Sequence, residues 1–213
     1  MQFNTVVQNF RFGNFELQAH VPDILQLQQW YIQEKEKNPA TEIPYWGQVW
    51  PAAHALCHFI ADQPALFQNK SVLELAAGLG LPSLLCGRFA KDVCCSDVEA
   101  EAIAVTERSI NHLGLQNISC CILNWNNIPT GLNADVLLLS DINYEPASFE
   151  TLCNVINRFL NTGTTVVLST PQRLMAKPFI ERLLPFCVLQ QELAVTGISP
   201  SVLCTIMVLQ KVL

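Results

Sequence analysis

Charge is scarce in this chain. Only 14% of its 213 residues are charged, and no two basic residues are adjacent. Tight binding to a nucleic-acid backbone needs lysines and arginines clustered on one face. Here the twelve are scattered from Arg11 to Lys211 under a formal charge of −6, which disfavours a nucleic-acid partner. Long apolar runs are also missing. Stretches such as Val136 to Leu139 are far too short to span a bilayer. The opening MQFNTVVQNFRFGNF has neither a basic start nor a long apolar segment. It does not read as a signal peptide, so the expectation is a cytoplasmic location with no membrane partner.

There are nine cysteines but no C-x-x-C. The adjacent pairs Cys94–Cys95 and Cys120–Cys121 lie in strand-like runs, where neighbours face opposite ways. That suits neither a disulfide nor a zinc site, so the cysteines read as reduced thiols serving as small hydrophobes. His54 and His58 are four residues apart with no third ligand close in sequence, so they read as ordinary helix residues and no metal is expected. Repeats and low-complexity segments are absent.

What remains is an apolar chain, half hydrophobic, able to bury a large core. TVVQNFRF and FELQAH around Gly13–Asn14 predict a hairpin, and Pro22 opens a helical stretch that ends at Asn38–Pro39. Pro51 starts a second helix. From Ser71 onward strands alternate with helices: SVLELA, DVCCSD, ISCCILN, DVLLLSD and TTVVLST, with helical segments between most of them. The helical segment QRLMAKPFIERLLP contains a proline and is expected to bend or break near Lys177. Two runs close the chain, FCVLQQELAV and SVLCTIMVLQKV, joined by a loop too short for a parallel crossover. The pattern predicts an α/β fold: a Rossmann-like, doubly wound, mainly parallel seven-stranded sheet ending in an antiparallel hairpin. Residues 1–50 are expected to form a hairpin-and-helix extension packed on a core domain of residues 51–213.

One junction draws attention. KSVLELAAGLGLPSLL runs from strand to helix through Gly78 and Gly80, with Glu74 just upstream. In a doubly wound sheet, ligands bind beyond the C-terminal ends of the central strands. Glycines there permit a sharp turn and let a ligand approach closely. Asp97 ends the next strand, 19 residues past Gly78, an offset that suits a carboxylate bonded to ribose hydroxyls. A pyrophosphate prefers a helix N-terminus free of negative charge, so Glu74 speaks against a nicotinamide dinucleotide. A cationic sulfonium and ammonium would instead be drawn to it. An ordinary solvent-facing Glu74 is the plain alternative.

At this point the sequence resembles the class I, seven-β-strand, S-adenosylmethionine-dependent methyltransferases, from about Glu42 to the end. VLELAAGLGLPSLL is similar to their first motif. PYWGQVWPAA, LNWNN and SDINY resemble, more narrowly, segments of the methyltransferase-like family that contains many protein lysine methyltransferases. The resemblance implies S-adenosylmethionine as cofactor, S-adenosylhomocysteine as product and a protein lysine as acceptor. It implies that Glu74, Ala76 and the Gly78–Gly80 turn hold the methionine moiety, that Asp97 binds ribose, and that Trp125 with Asn124 lies near adenine. Asp141 and Tyr144 would stand at the acceptor, and Trp46 and Trp50 would line or cover the site. Trp125, Trp46 and Trp50 have a packing alternative, because large aromatics are mostly buried. Ala76 departs from the family, which usually has glycine there, and its methyl group would crowd the methionine end.

Methyl transfer from a sulfonium needs positioning rather than a metal or a covalent intermediate. A lysine acceptor must first lose a proton, which desolvation favours. These residues leave open whether Asp141 or water takes it. A small-molecule methyltransferase, a nicotinamide oxidoreductase and a non-catalytic binding protein are the competing readings.

Overall fold

The computed structural model describes residues 4–196 and 201–211. Strands β1 (Thr5–Phe12) and β2 (Phe15–Pro22) form the expected hairpin, a two-stranded sheet of its own. Helix α1 (Ile24–Lys37) follows, but Pro22 does not open it. Pro22 closes the ladder opposite Thr5, and Asp23 caps the helix, its carboxylate accepting from the Leu25 and Gln26 amides. A capping acceptor satisfies helix donors that a proline cannot.

The remaining elements are α2 (Pro51–Asp62), β3 (Ser71–Leu75), α3 (Leu81–Cys86), β4 (Asp92–Asp97), α4 (Ala100–Leu113), β5 (Ile118–Ile122), β6 (Val136–Ser140), α5 (Phe149–Asn161), β7 (Thr165–Pro171), α6 (Lys177–Leu183), β8 (Cys187–Val195) and β9 (Val202–Leu209). Seven strands form one sheet in the order β5-β4-β3-β6-β7-β9-β8. Strands β3 to β7 run parallel, and β9 pairs antiparallel with both β7 and β8. The turn segment TGISP lies, apart from Thr196, outside the described residues. Before α6 the chain breaks as the proline requires: a 3-10 turn spans Leu174–Ala176, and Pro178 sits in the first turn of α6, where its missing N–H costs little.

Strand alternation sorts the core into two faces. Leu73, Leu75, Leu137, Leu139 and Val166 point to the side covered by α5 and α6. Val72, Val136, Leu138 and Val167 point to the side covered by α2 and α3, where Phe12, Leu17 and Ala19 of the hairpin also pack. Each such leucine removed from water contributes about 1.5–3 kcal/mol before the entropy of ordering it. The hairpin lies on α4 as well, with the His20 amide donating to Ser109 Oγ at 2.9 Å. His54 and His58 face the Phe12 ring at 5.8 and 5.2 Å, so both imidazoles sit in the hairpin contact.

The chain leaves β3 toward β4 on one side and reaches β6 on the other, so the strand order reverses between β3 and β6. The loops after these strands must diverge there, which opens a crevice.

Candidate active site

The crevice is a cavity of about 880 Å³, lined by the turn after β3, the ends of β4 and β6, the loop after β5, and residues 42–50. Its floor is the glycine turn. Ala76, Gly78 and Gly80 all take positive φ, at 52°, 55° and 65°. The turn is fixed by the Ala77 amide donating to Ser96 O (2.9 Å) and the Gly80 amide donating to Ala77 O (2.8 Å). The glycines serve the protein's own packing. A Cβ on Gly80 would lie 2.7 Å from Thr106 Cγ2 and 2.9 Å from Cys95 Sγ, and one on Gly78 would lie 3.3 Å from Trp46 O. Close packing of α4, β4 and the Trp46 backbone thus adds to the sharp turn and the ligand approach expected from the sequence.

Asp97 ends β4 and is 5% exposed. Its Oδ2 accepts from the Gly78 amide at 2.7 Å and its Oδ1 from the Glu99 amide at 3.0 Å. Burial pushes its pKa up, and the Glu99 and Gly78 amides oppose that rise. A carboxylate has about four lone-pair sites, so acceptor capacity remains toward the cavity that Asp97 lines.

Glu74 is the expectation the structure corrects. It is fully buried and does not line the cavity. Its Oε2 accepts from the Ser83 amide (2.9 Å) and the Ser83 hydroxyl (2.5 Å), while Oε1 has no partner. The physical reason is the period of two along a strand: Glu74 shares a face with Val72 and so points under α3, away from the crevice. Burial pushes its pKa up to about 8, the Ser83 bonds lower it, and the Asp97 charge adds to the rise. Buried beneath α3 and off the cavity lining, it is not placed to meet a ligand in the crevice.

The other expected residues do converge on the cavity. Trp125 sits in a short 3-10 turn, partly buried against the α5 face of the core. Asn124 caps that turn, its Oδ1 accepting from the Asn126 amide at 2.8 Å. Trp46 is 8% exposed and packs with Leu27, Leu79 and Val105. Trp50 donates its indole N–H to Tyr45 O at 2.8 Å. The Tyr45 ring stands 6.0 Å from Trp50 and 5.7 Å from Tyr144, which makes an aromatic wall at the mouth. Burial first, then the charges of Glu145 and Glu42, push the Tyr144 phenol pKa up, so it is no general base.

Asp141 follows β6 at a φ of 55° and is 9% exposed. Both of its oxygens accept from Arg173, Oδ1 from Nη1 and Oδ2 from Nη2, the latter at 3.1 Å. Sequence reading missed Arg173 and Tyr45. The signal for Arg173 was present: it stands two residues past the end of β7, the parallel neighbour of β6, and parallel strands finish on one edge.

Among the described residues the charged lining is one-sided: five carboxylates, Glu42, Asp97, Glu99, Asp141 and Glu145, against the guanidinium of Arg173. The crowding is visible at Glu99, whose pKa is raised by burial and then by Asp97, Glu101 and Glu42.

Comparison with known proteins shows the family and the fold. The sequence profile of a family described as lysine methyltransferase matches residues 29–184. The chain belongs to that family. The match begins within the expected N-terminal extension, which supplies the cavity wall at residues 42–50. Among its relatives, the protein N-terminal and lysine N-methyltransferase EFM7 of Cryptococcus neoformans is 25% identical, over 73% of this chain and 56% of its own. Human histone-arginine methyltransferase METTL23 is 29% identical, over 64% of this chain and 75% of its own. The mouse electron transfer flavoprotein beta subunit lysine methyltransferase is 28% identical, over 61% of this chain and 51% of its own. The chain thus spans about half the length of several of these relatives. The fold is shared with SMU.776, solved with SAH, at a TM-score of 0.61 and 11% identity, over 94% of this chain and 56% of that one. It is shared too with N-methyltransferase NodS from Bradyrhizobium japonicum, at a TM-score of 0.58 and 13% identity, over 76% of this chain and 98% of that one.

Proposed function

We propose that this protein transfers a methyl group from S-adenosylmethionine to a lysine side chain of a protein. The observation that carries the reading is the charge of the crevice: five carboxylates, and one guanidinium already committed to Asp141. Such a lining repels a dinucleotide's phosphates and a nucleic acid, and suits a cationic cofactor and a cationic acceptor. The discrimination first placed on Glu74 rests instead on these five residues. The lining suits that cofactor on the same ground. Asp97 keeps acceptor capacity at the end of β4, and among the described residues no cation beyond Arg173 lines the space.

In this reading Asp97 accepts from the ribose hydroxyls, the turn from Ala76 to Gly80 borders the methionine moiety, and Trp125 lies along adenine. When bound, S-adenosylmethionine supplies a methyl group on a cationic sulfonium. The chain itself must hold and desolvate the amine. Tyr45, Trp50 and Tyr144 form an aromatic wall whose desolvation favours loss of the amine's proton, against the pull of the nearby carboxylates. Asp141, neutralised by Arg173, orients the amine without strongly holding its proton. Both oxygens of Asp141 already accept from Arg173, so the proton leaves to water at the open mouth. The nine cysteines are free thiols in the structure, which suits the reducing cytoplasm where we place the protein. No helix among the described residues is long and apolar enough to cross a membrane.

Incubation with tritiated S-adenosylmethionine and a cell lysate tests this, with amino-acid analysis of the labelled protein. Methyllysine is expected. Methylarginine or label confined to small molecules would overturn the acceptor assignment. Asp97→Ala is expected to weaken S-adenosylhomocysteine binding at least thirtyfold by calorimetry, and unchanged affinity would remove Asp97 from the ribose site.

A further inference from the structure

The mouth of the cavity carries apolar side chains that the core does not use. Leu174 follows cavity-lining Arg173 directly and is 95% exposed. It is held out by a 3-10 turn in which the Ala176 amide donates to Arg173 O at 3.0 Å, while Ala176 itself is buried. Met175 beside it is 50% exposed. Ile43, Tyr45 and Tyr144 line the same opening at 50%, 46% and 40% exposure. Single exposed leucines are ordinary, but several large apolar side chains around one polar opening mark an interaction surface. A small-molecule acceptor would have no use for Leu174, which stands outside the cavity.

Charge narrows the occupant. Glu42 and Glu145 line the opening and are themselves exposed, and Glu99 adds a third carboxylate. Among the described residues no Lys or His lines this cavity. An acidic partner surface would be repelled and a basic one drawn in.

We propose that this rim docks the protein substrate outside the reacting centre, and that it selects a segment whose acceptor lysine has an apolar residue beside it and basic rather than acidic neighbours. The proposal rests on the lysine-methyltransferase reading above and adds the recognition surface to it. Leu174 and Met175 would bury against the apolar residue, while Glu42 and Glu145 meet the basic ones. Leu174 and Met175 lie outside the cavity lining, so their substitution separates substrate binding from cofactor binding, whereas Glu42 and Glu145 belong to the acidic lining that also suits the cofactor.

Leu174→Glu and the charge reversal Glu145→Lys are compared with the unaltered protein in the tritiated lysate assay. S-adenosylhomocysteine affinity is measured on each, and the labelled lysines are located by mass spectrometry. The expected result is at least a tenfold fall in protein labelling for Leu174→Glu and a several-fold fall for Glu145→Lys. Cofactor affinity should stay within twofold in Leu174→Glu, and the methylated lysines should lie beside apolar and basic residues. Labelling at the unaltered rate by Leu174→Glu overturns the proposal. So does a fall in Leu174→Glu matched by an equal loss of cofactor affinity, or methylated lysines lying among acidic residues. If the unaltered protein labels no protein at all, the lysine reading itself fails, and that outcome is distinct from the others.

Discussion

The two halves of the cavity are built by different means. On the β3–β4 side, polar groups are spent on the protein's own backbone: Asp97 holds the Gly78 and Glu99 amides, and Thr106 donates to Gly78 O at 3.2 Å. On the β6–β7 side they are spent on another side chain, Asp141 on Arg173, beneath a wall of rings. A turn tied to backbone amides has one geometry, because the amides cannot move without unfolding the strand ends. A carboxylate held by a guanidinium on a neighbouring loop, 29% exposed at its side chain, can exchange partners. The first half suits a cofactor that is always the same, and the second suits an acceptor that must enter and leave.

The sharpest way to break that contrast is to remove one member of the Asp141–Arg173 pair. Arg173→Gln leaves a nearly buried carboxylate without its counter-charge, and is expected to cost about 2–3 kcal/mol in urea unfolding, below the usual range because the site is not fully dry. Asp141→Asn leaves a partly exposed guanidinium and should cost about 1 kcal/mol, since Asn also tolerates positive φ. The double substitution should cost less than the sum. Methyl transfer is expected to fall at least a hundredfold in Asp141→Asn with cofactor affinity kept within twofold. Equal losses of stability in the two single variants would show that the pair is solvated and that the halves do not differ as argued.

Glu74 sharpens the comparison from the other side, because its carboxyl serves only the scaffold. Its folded pKa of about 8 lies above the ordinary 4.5. Below pH 4.5 both folded and unfolded chains carry the proton, and the full stability is present. As pH rises from about 4.5 toward about 8, the unfolded chain ionises while the folded one resists, so stability falls by up to about 1.4 kcal/mol per pH unit. Glu74→Gln should flatten that slope, as read from unfolding midpoints between pH 5 and 8. An unchanged slope would mean that Glu74 is not the group losing ground. The groups around it are the thiols of Cys57, Cys86 and Cys95, whose own pKa values are raised, and Asp97.

The legibility of the two halves in the sequence follows from the same contrast. The alternation of strands and helices, the turn at Gly78 and Gly80, Asp97 at the end of β4 and the closing antiparallel pair were readable, because each is a local pattern with a fixed period or spacing. What failed was direction and distance. Glu74 sits next to the right turn, but the strand's period of two sends it beneath α3. Arg173 lies 32 residues from Asp141, and Tyr45 reaches Tyr144 from a segment before the first central strand. No spacing rule connects such pairs; only the convergence of strand ends on one edge of the sheet does.

The finest test lies at Ala76, which stands in the left-handed region where its neighbours Gly78 and Gly80 stand without a Cβ. For Gly80 the absence is enforced by Thr106 and Cys95, and for Gly78 by the Trp46 backbone. For Ala76 the Cβ is present, and the residue lines the cavity. Ala76→Gly should relieve about 1–2 kcal/mol of left-handed strain and lose about 0.4–1 kcal/mol through the freer unfolded chain. The net gain is about 0.5 kcal/mol, or about 1–2 °C in the midpoint for a chain of this size. If the methyl group also stands against the methionine moiety, S-adenosylhomocysteine affinity should rise about threefold by calorimetry. A raised midpoint with unchanged affinity would mean the strain belongs to the fold alone. A raised affinity would place the cofactor against the turn, and would extend to the rigid half of the cavity a ligand contact that its hydrogen bonds alone do not supply.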